Sequence, residues 1–380
     1  MDNVRFGVVG LGNMGGTHAR DNAPKLTRAT MTAVCDIVPE KMDAYPDAAH
    51  FTDSAALIRS GLVDAVIIAT PHYGHTTIGI DAFNNGLHLL SEKPISAHKA
   101  DAQRLIGAKK PNLVFSAMFQ TRTSSAFQAL RSLIQDGELG EVRRINWIIT
   151  DWFRSAAYYA SGGWRATWGG EGGGVLLNQC PHNLDLYQWL FGMPTEVTAF
   201  CDFGRFHDIE VEDAVTAVFR HANGATGVFI TTTGEAPGTD RLEVAGDRGR
   251  AILENGKLTF DRTTESVQQF SDTTSQMFPN LPTWKCEIPT GNQGPSHLKV
   301  AQNFIDSILD GSPLIAPGEE GLNSIELANA MLFSAWEKRT VQLPLDAAAY
   351  EARLKEKIAG STHRKKVEER TAGDMASSFH

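Results

Sequence analysis

Two short segments of this 380-residue chain carry side chains suited to moving a proton. In Glu92-Lys93-Pro94 the proline cannot continue a strand and holds the lysine before it extended, so the amine is presented at a fixed point. Such an amine hydrogen-bonds a hydroxyl, and burial weakens its hold on the proton. The second segment runs Gly172-Gly-Gly-Val-Leu-Leu-Asn178-Gln-Cys-Pro-His182-Asn-Leu-Asp185. From Pro181 onward it reads as a helix with proline in its first turn. His182 and Asp185 are then i and i+3 on one face, within reach of each other, while Leu184, Tyr187 and Leu190 face inward. Imidazole titrates near neutral pH and serves as a general base, and a nearby carboxylate can orient the ring. Plainer readings exist: an exposed lysine at a strand end, and a packed histidine beneath a glycine loop with Asp185 as a helix-start acid. His-x-x-Asp needs further ligands to hold a metal, and none is evident nearby, so no metal site is predicted.

The elements that must position these groups begin at the N-terminus. Val4-Arg-Phe-Gly-Val-Val reads as an apolar strand entering Gly10-x-Gly12-x-x-Gly15, with Asn13 and Met14 lining the turn. This spacing permits a tight turn and close approach of backbone N–H groups to a pyrophosphate at a helix N-terminus. A second strand, Met31 to Asp36, puts a carboxylate 21 residues beyond Gly15, where it can accept hydrogen bonds from an adenosine ribose. That acid repels a 2′-phosphate, and Ile37 and Val38 offer no guanidinium; NAD is therefore expected as cofactor, and NADP is disfavoured although Lys41 is near. Asp64 to Thr70 is a nearly continuous apolar run suited to a doubly buried strand. A helix from about Thr76 to Asn85, capped by Gly86, and a strand Leu87 to Ser91 deliver Glu92-Lys93-Pro94 to the ligand crevice of a parallel sheet.

Residues 1–122 thus read as an α/β doubly wound domain. The grammar changes from residue 123 to 345. An amphipathic helix from Ser124 to Asp136 precedes β-rich runs at Val142–Thr150, Glu196–Phe200, Asp213–Phe219, Ala225–Thr232, Arg241–Ala245 and Ala251–Leu253. Turn signals such as Ala222-Asn223-Gly224 and Glu254-Asn255-Gly256 join them, which describes an α+β domain with a mostly antiparallel open sheet. Helices His297–Asp310 and Gly318–Lys338 are expected to pack on this second unit. Residues 346–380 read as a C-terminal helix and a polar tail, either mobile or reaching a neighbouring subunit.

Apolar content of 42% and charged content of 21% are ordinary for a globular protein, and a net charge of −9 argues against nucleic-acid partners. Four scattered cysteines without Cys-x-x-Cys spacing suit a reducing, cytoplasmic setting, and no run reaches transmembrane length.

Taken together, Gly10-x-Gly12-x-x-Gly15, Glu92-Lys93-Pro94, Gly173-Gly174 and His182-x-x-Asp185 resemble the Gfo/Idh/MocA family over nearly the whole chain. The resemblance implies an N-terminal Rossmann domain and a C-terminal sheet that mediates homodimers or homotetramers. It also implies NAD(P)-dependent hydride transfer at a sugar, cyclitol or related carbinol. Lys93 and His182 fall on the family's catalytic lysine and histidine. Thr70, Pro71, His72, His75, Glu92 and Gln120 fall near the pyrophosphate and nicotinamide. The family's inositol dehydrogenases carry Asp where this chain has Asn178, which puts inositol in doubt and suggests that Asn178 binds a substrate hydroxyl. Arg122 and Asp185 join the expected substrate residues.

The segment from Asp151 to Trp168, with Arg154, Tyr158, Trp164 and Arg165, offers aromatic faces and polar groups suited to a sugar, and equally to an oligomer contact. Trp164-Arg165 followed by Asn178 to His182 resembles the branch acting on glycosides or anhydrosugars, often at C3. The acidic run His207 to Asp213 reads as a solvated turn rather than a hydroxyl-binding one. The expected activity is oxidation of a secondary hydroxyl. The alternatives are redox-assisted glycoside cleavage with retained NAD, and a non-catalytic, sugar-responsive NAD-binding regulator.

Overall fold

The computed structural model describes residues 2–291 and 293–365. Its first sheet contains β1 (Val4–Val9), β2 (Ala29–Cys35), β3 (Ala49–Phe51), β4 (Ala65–Ile68), β5 (His88–Ser91) and β6 (Phe115–Ala117), all parallel, in the order β3-β2-β1-β4-β5-β6. The chain moves outward from β1 in one direction, then returns to β4 and moves outward in the other. That reversal opens a crevice beyond the carboxyl ends of β1 and β4. The glycine turn follows β1, Thr70-Pro71 follows β4, and Glu92-Lys93-Pro94 follows β5, so all three meet at the crevice.

The second sheet has nine strands: β7 (Val142–Ile149), β8 (Glu196–Phe203), β9 (Glu212–Arg220), β10 (Thr226–Thr232), β11 (Asp240–Gly246), β12 (Gly249–Glu254), β13 (Lys257–Thr263), β14 (Thr283–Ile288) and β15 (Val341–Gln342). Their order is β14-β13-β12-β11-β7-β10-β9-β8-β15, antiparallel except for the β7–β10 pair. One face is covered by the helices Ser125–Gln135, Pro181–Phe191 and Gly321–Glu337 around Trp147, Tyr187, Phe219 and Phe229. The other face leaves Phe200 76% and Val218 48% exposed.

One expectation about packing is corrected. The helix His297–Asp310 lies on the first sheet, where Val300, Ala301, Phe304 and Ile305 bury against Val4, Phe6, Val8 and Leu90. Its apolar stripe matches the face that the other helices leave bare, and Gln302 fixes it by bonding Thr27 N–H at 2.8 Å and Thr27 O at 3.2 Å. The helix Gly321–Glu337 serves both units, with Ile325 in the core beside β5 and β6 and Leu327, Ala328, Met331 and Leu332 in the core of the second sheet. Between them Lys99 Nζ donates to Glu326 Oε1 at 2.7 Å, a buried pair across the junction. The C-terminal helix spans Ala347–Ala359; the tail expected beyond it lies outside the described residues from 366 on.

Candidate active site

The glycine turn is fixed by sterics. Gly10 has φ +88°, and a Cβ there would lie 2.7 Å from Ala69 O; a Cβ on Gly15 would lie 1.7 Å from Gly10 O. Around Gly12, by contrast, nothing lies within 4 Å of where a Cβ would stand, so the N-terminus of the helix starting at Asn13 and Met14 faces open space. Asp36 ends β2 and accepts from Leu11 N–H at 2.7 Å and Val38 N–H at 2.9 Å, which ties the second strand to the turn. Lys41 Nζ pairs with its carboxylate at 3.3 Å, and Ile37 beside it is exposed. This is a glycine turn with open space before the helix start, an acid at the end of the second strand and no guanidinium beside it, and it fits NAD.

Glu92 turns inward. Its Oε1 meets His18 Nε2 at 2.7 Å and its Oε2 accepts the Lys93 N–H at 3.2 Å, so both oxygens are used within the protein. Burial opposes its charge, yet the His18 bond holds the carboxyl down at about 2. Lys93 Nζ crosses to the second unit and donates to Asn178 O at 2.9 Å. Burial lowers the amine from its ordinary value, against the opposing charges of Glu92 and Glu171. His182 sits four residues beyond Asn178, in the first turn of the next helix, with Nε2 3.1 Å from Gln120 Nε2. Burial, then the neighbouring Lys93, holds its ring well below the usual imidazole range and therefore neutral. Gln120 Oε1 and His182 Nδ1 are buried without partners among the described residues, as expected of atoms that a ligand satisfies.

Several predicted residues are placed otherwise. Asp185 does not orient His182: it accepts Arg122 Nε at 2.7 Å and Arg122 Nη2 at 2.6 Å. Arg122 also reaches Glu320 at 2.6 Å, and its side chain is 1% exposed. A guanidinium this deep requires a paired carboxylate, so Arg122 and Asp185 brace the domain crossing rather than face a substrate. Asn178 is likewise occupied: Oδ1 accepts from Tyr158 Oη and from Gln179 Nε2, each at 3.0 Å, and Nδ2 donates to Glu171. His75 places both ring nitrogens 2.7 Å from the carbonyl oxygens of Thr70 and Pro94, bridging the two turns. His72 Nδ1 lies 3.1 Å from Glu171 O, and burial drives its ring down to about 3.

The aromatic segment forms one wall. Arg165 lies over Tyr158 at 4.3 Å and Trp164 at 4.8 Å and donates to the Tyr158 hydroxyl at 2.6 Å, while Arg154 lies over Tyr158 at 5.2 Å. Trp164 packs against His72, with ring centroids 6.1 Å apart. The run His207 to Asp213 is no solvated turn. Asp213 is fully buried, accepts the N–H groups of Arg205, Phe206 and His207, and so fixes His207, whose Nε2 lies 2.8 Å from Arg154 O.

Sequence reasoning missed Glu171 and put Glu212, which is fully buried, in a solvated turn. Glu212 accepts Gly174 N–H at 2.8 Å and Leu176 N–H at 3.0 Å, and burial pushes its carboxyl up to about 7. Glu171 was legible as the one carboxylate inside Gly169 to Gly174. No spacing rule links it to the residues it touches.

A parallel nucleotide-type sheet joined to an open second sheet, with a lysine and a histidine brought together between them, defines a two-domain dinucleotide-dependent oxidoreductase. Residues 4–117 match the oxidoreductase family with NAD-binding Rossmann fold, and residues 127–252 match the GFO/IDH/MocA C-terminal domain. The chain belongs to the Gfo/Idh/MocA family of NAD-binding oxidoreductases. Myo-inositol 2-dehydrogenase of Thermotoga maritima is 25% identical over 351 residues, covering 90% of this chain and 98% of that protein. D-apiose dehydrogenase of Rhizobium rhizogenes is 25% identical over 329 residues, covering 83% and 90%. The WlbA dehydrogenase of Bordetella pertussis, solved with NADH and UDP-GlcNAcA, superposes with TM-score 0.76 at 26% identity, covering 90% of this chain and all of that one. Levoglucosan dehydrogenase, solved with NADH and levoglucosan, shares the fold with TM-score 0.75 at 21% identity, covering 90% and 100%. Among the described residues no helix is long and apolar enough to cross a membrane.

Proposed function

We propose that this protein oxidises a secondary hydroxyl of a sugar, glycoside, anhydrosugar or cyclitol, with Lys93 and His182 handling the hydroxyl. In a hexose ring the carbon proposed is C3, on the Trp164-Arg165 and Asn178 to His182 pattern. NAD, when bound, accepts the hydride. The N–H groups of Gly12, Asn13, Met14 and Gly15 would hold its pyrophosphate and Asp36 its ribose, with Thr70, Pro71 and Gln120 along the crevice.

The observation that carries this reading is the bond from Lys93 Nζ to Asn178 O at 2.9 Å, which ties an amine from one unit to the segment that bears the imidazole of the other, four residues on. Lys93 keeps further N–H donors for the substrate oxygen and stabilises negative charge as it develops there. His182, held neutral, takes the hydroxyl proton, and returns it in the reverse direction. Tyr158 and Trp164 present flat faces suited to ring C–H surfaces, and Arg154 and Arg165 keep them oriented.

We further infer a homodimer or homotetramer built on the open face of the second sheet, where Phe200 and Val218 stand exposed. Four free cysteines, two of them buried, support a cytoplasmic setting.

The test is NADH absorbance with purified protein, NAD and a panel of inositols, aldopyranoses, methyl glycosides and anhydrosugars. One class is expected to give sustained NADH formation that Lys93→Ala and His182→Ala abolish. NAD binding without turnover on any member of the panel overturns the reading.

A further inference from the structure

Glu171 lies on no motif, yet more of the substrate wall converges on it than on any residue the motifs single out. Its side chain is buried, just ahead of the short helix Val175–Asn178. One carboxylate oxygen accepts the Asn178 side-chain amide and the other accepts the Ala166 N–H. Ala166 has a left-handed backbone, φ 55°, a conformation that costs a non-glycine residue energy and that this bond helps to hold. The circuit then closes. Arg165, before Ala166, donates to the Tyr158 hydroxyl at 2.6 Å; that hydroxyl donates to Asn178 Oδ1 at 3.0 Å; and Asn178 Nδ2 returns to Glu171. The Asn178 backbone carbonyl is the acceptor that holds Lys93.

Both Glu171 oxygens face N–H donors, so the donor set fits an ionised carboxylate and not a protonated one. Burial leaves its carboxyl above the usual carboxylate range, although Arg165 first, then the two N–H donors, act the other way. Glu92, the other acid beside Lys93, is already matched by His18.

We propose that Glu171 is a positioning residue of the active site: its carboxylate clamps the aromatic segment to the segment bearing Asn178 and His182, and supplies the counter-charge that holds the Lys93 ammonium in place. This deepens the dehydrogenase reading and rests on it for the role of Lys93.

The charged and thiol groups facing Lys93 are Glu92, Glu171, Cys180 and Arg154. Four imidazoles, those of His72, His75, His182 and His297, also feel its charge, and burial lowers each of them. Of the two carboxylates, Glu171 is the one whose removal leaves the His18–Glu92 pair intact.

The test reads Lys93 directly, with no substrate. Full-length protein labelled with carbon-13 lysine is titrated by NMR, and the Lys93 Cε resonance is assigned by its loss in Lys93→Arg. Glu171→Gln is expected to move the Lys93 midpoint to lower pH by about 1 unit, the effect of losing a nearby opposite charge. The swap Glu171→Gln with Asn178→Asp restores a carboxylate to the same hydrogen-bonded pair and is expected to return the midpoint toward wild type. A folded Glu171→Gln protein with an unmoved midpoint, or a swap that restores nothing, overturns the proposal. Should Glu171→Gln fail to fold, Glu171→Asp draws the charge back by one methylene and must still lower the midpoint, by less; an unmoved midpoint there also overturns it. Absence of turnover on every sugar would sink the dehydrogenase reading and leave this titration standing. An unmoved midpoint in a protein that does oxidise a sugar sinks the role of Glu171 alone.

Discussion

The two sides of the crevice are built by different means. On the nucleotide side the backbone does most of the work: a positive φ at Gly10, a Cβ-free contact at Gly15, and open space around Gly12. Asp36 adds a side chain that accepts from the turn itself. On the proposed substrate side the groups are set by bonds between distant residues, such as Lys93 to Asn178, 85 positions apart, or Gln120 to His182, 62 apart. A backbone cradle survives most side-chain changes near it, whereas a closed hydrogen-bond circuit fails as a unit.

The sharpest challenge to this division comes from Lys93→Ala and His182→Ala. Each is expected to cut kcat by about 10²- to 10⁴-fold, the usual worth of a positioned acid or base, with NAD affinity by fluorescence titration unchanged. A matching loss of NAD affinity would erase the distinction between the two sides. Next is Phe304→Ala, which empties a buried site under β1 and is expected to cost about 3–5 kcal/mol of stability in denaturant unfolding. Because that helix supports the nucleotide sheet, added NAD should recover part of the loss. Asp36→Ser removes a charged hydrogen-bonding partner worth about 1.5–3 kcal/mol, so calorimetry should show NAD binding weakened by about 10- to 100-fold while the KM for sugar stays put.

Smaller effects follow from pH and from the surface. His72 is neutral in the fold, its ring driven from 6.5 down to about 3 by burial, and unfolding lets it take up a proton. Its stabilisation is therefore complete above about 6.5 and is lost as pH falls toward about 3. Tm should decline through that window, and His72→Gln should flatten the decline. Arg28→Ala breaks an exposed pair with Asp310 on the helix that Phe304 anchors, and Tm should not move measurably. A large drop would mean that the helix is held by charge rather than by burial.

What the sequence discloses follows the same division. The glycine turn, its flanking strands and the lysine at the end of β5 are local patterns, and they appear where expected. The helix His297–Asp310 was legible residue for residue, but an apolar stripe says which face is buried and not against what. The i, i+3 spacing of His182 and Asp185 likewise shows a shared face, not the guanidinium that claims the acid. β14 escaped notice because most of its residues are exposed, leaving no alternation to read. Glu171 became meaningful, and the side chain of Asn178 proved to be occupied, only when Tyr158 and Ala166 were brought beside them.

The return of residues 300–305 to the face of β1 governs how the chain can be made and divided. During synthesis Val4, Phe6 and Val8 wait uncovered until nearly all of the second sheet has left the ribosome. A gene cut between the two sheets would encode a first half with a raw apolar flank, prone to stick to chaperones and to itself. The nucleotide unit is first in sequence and among the last parts to close.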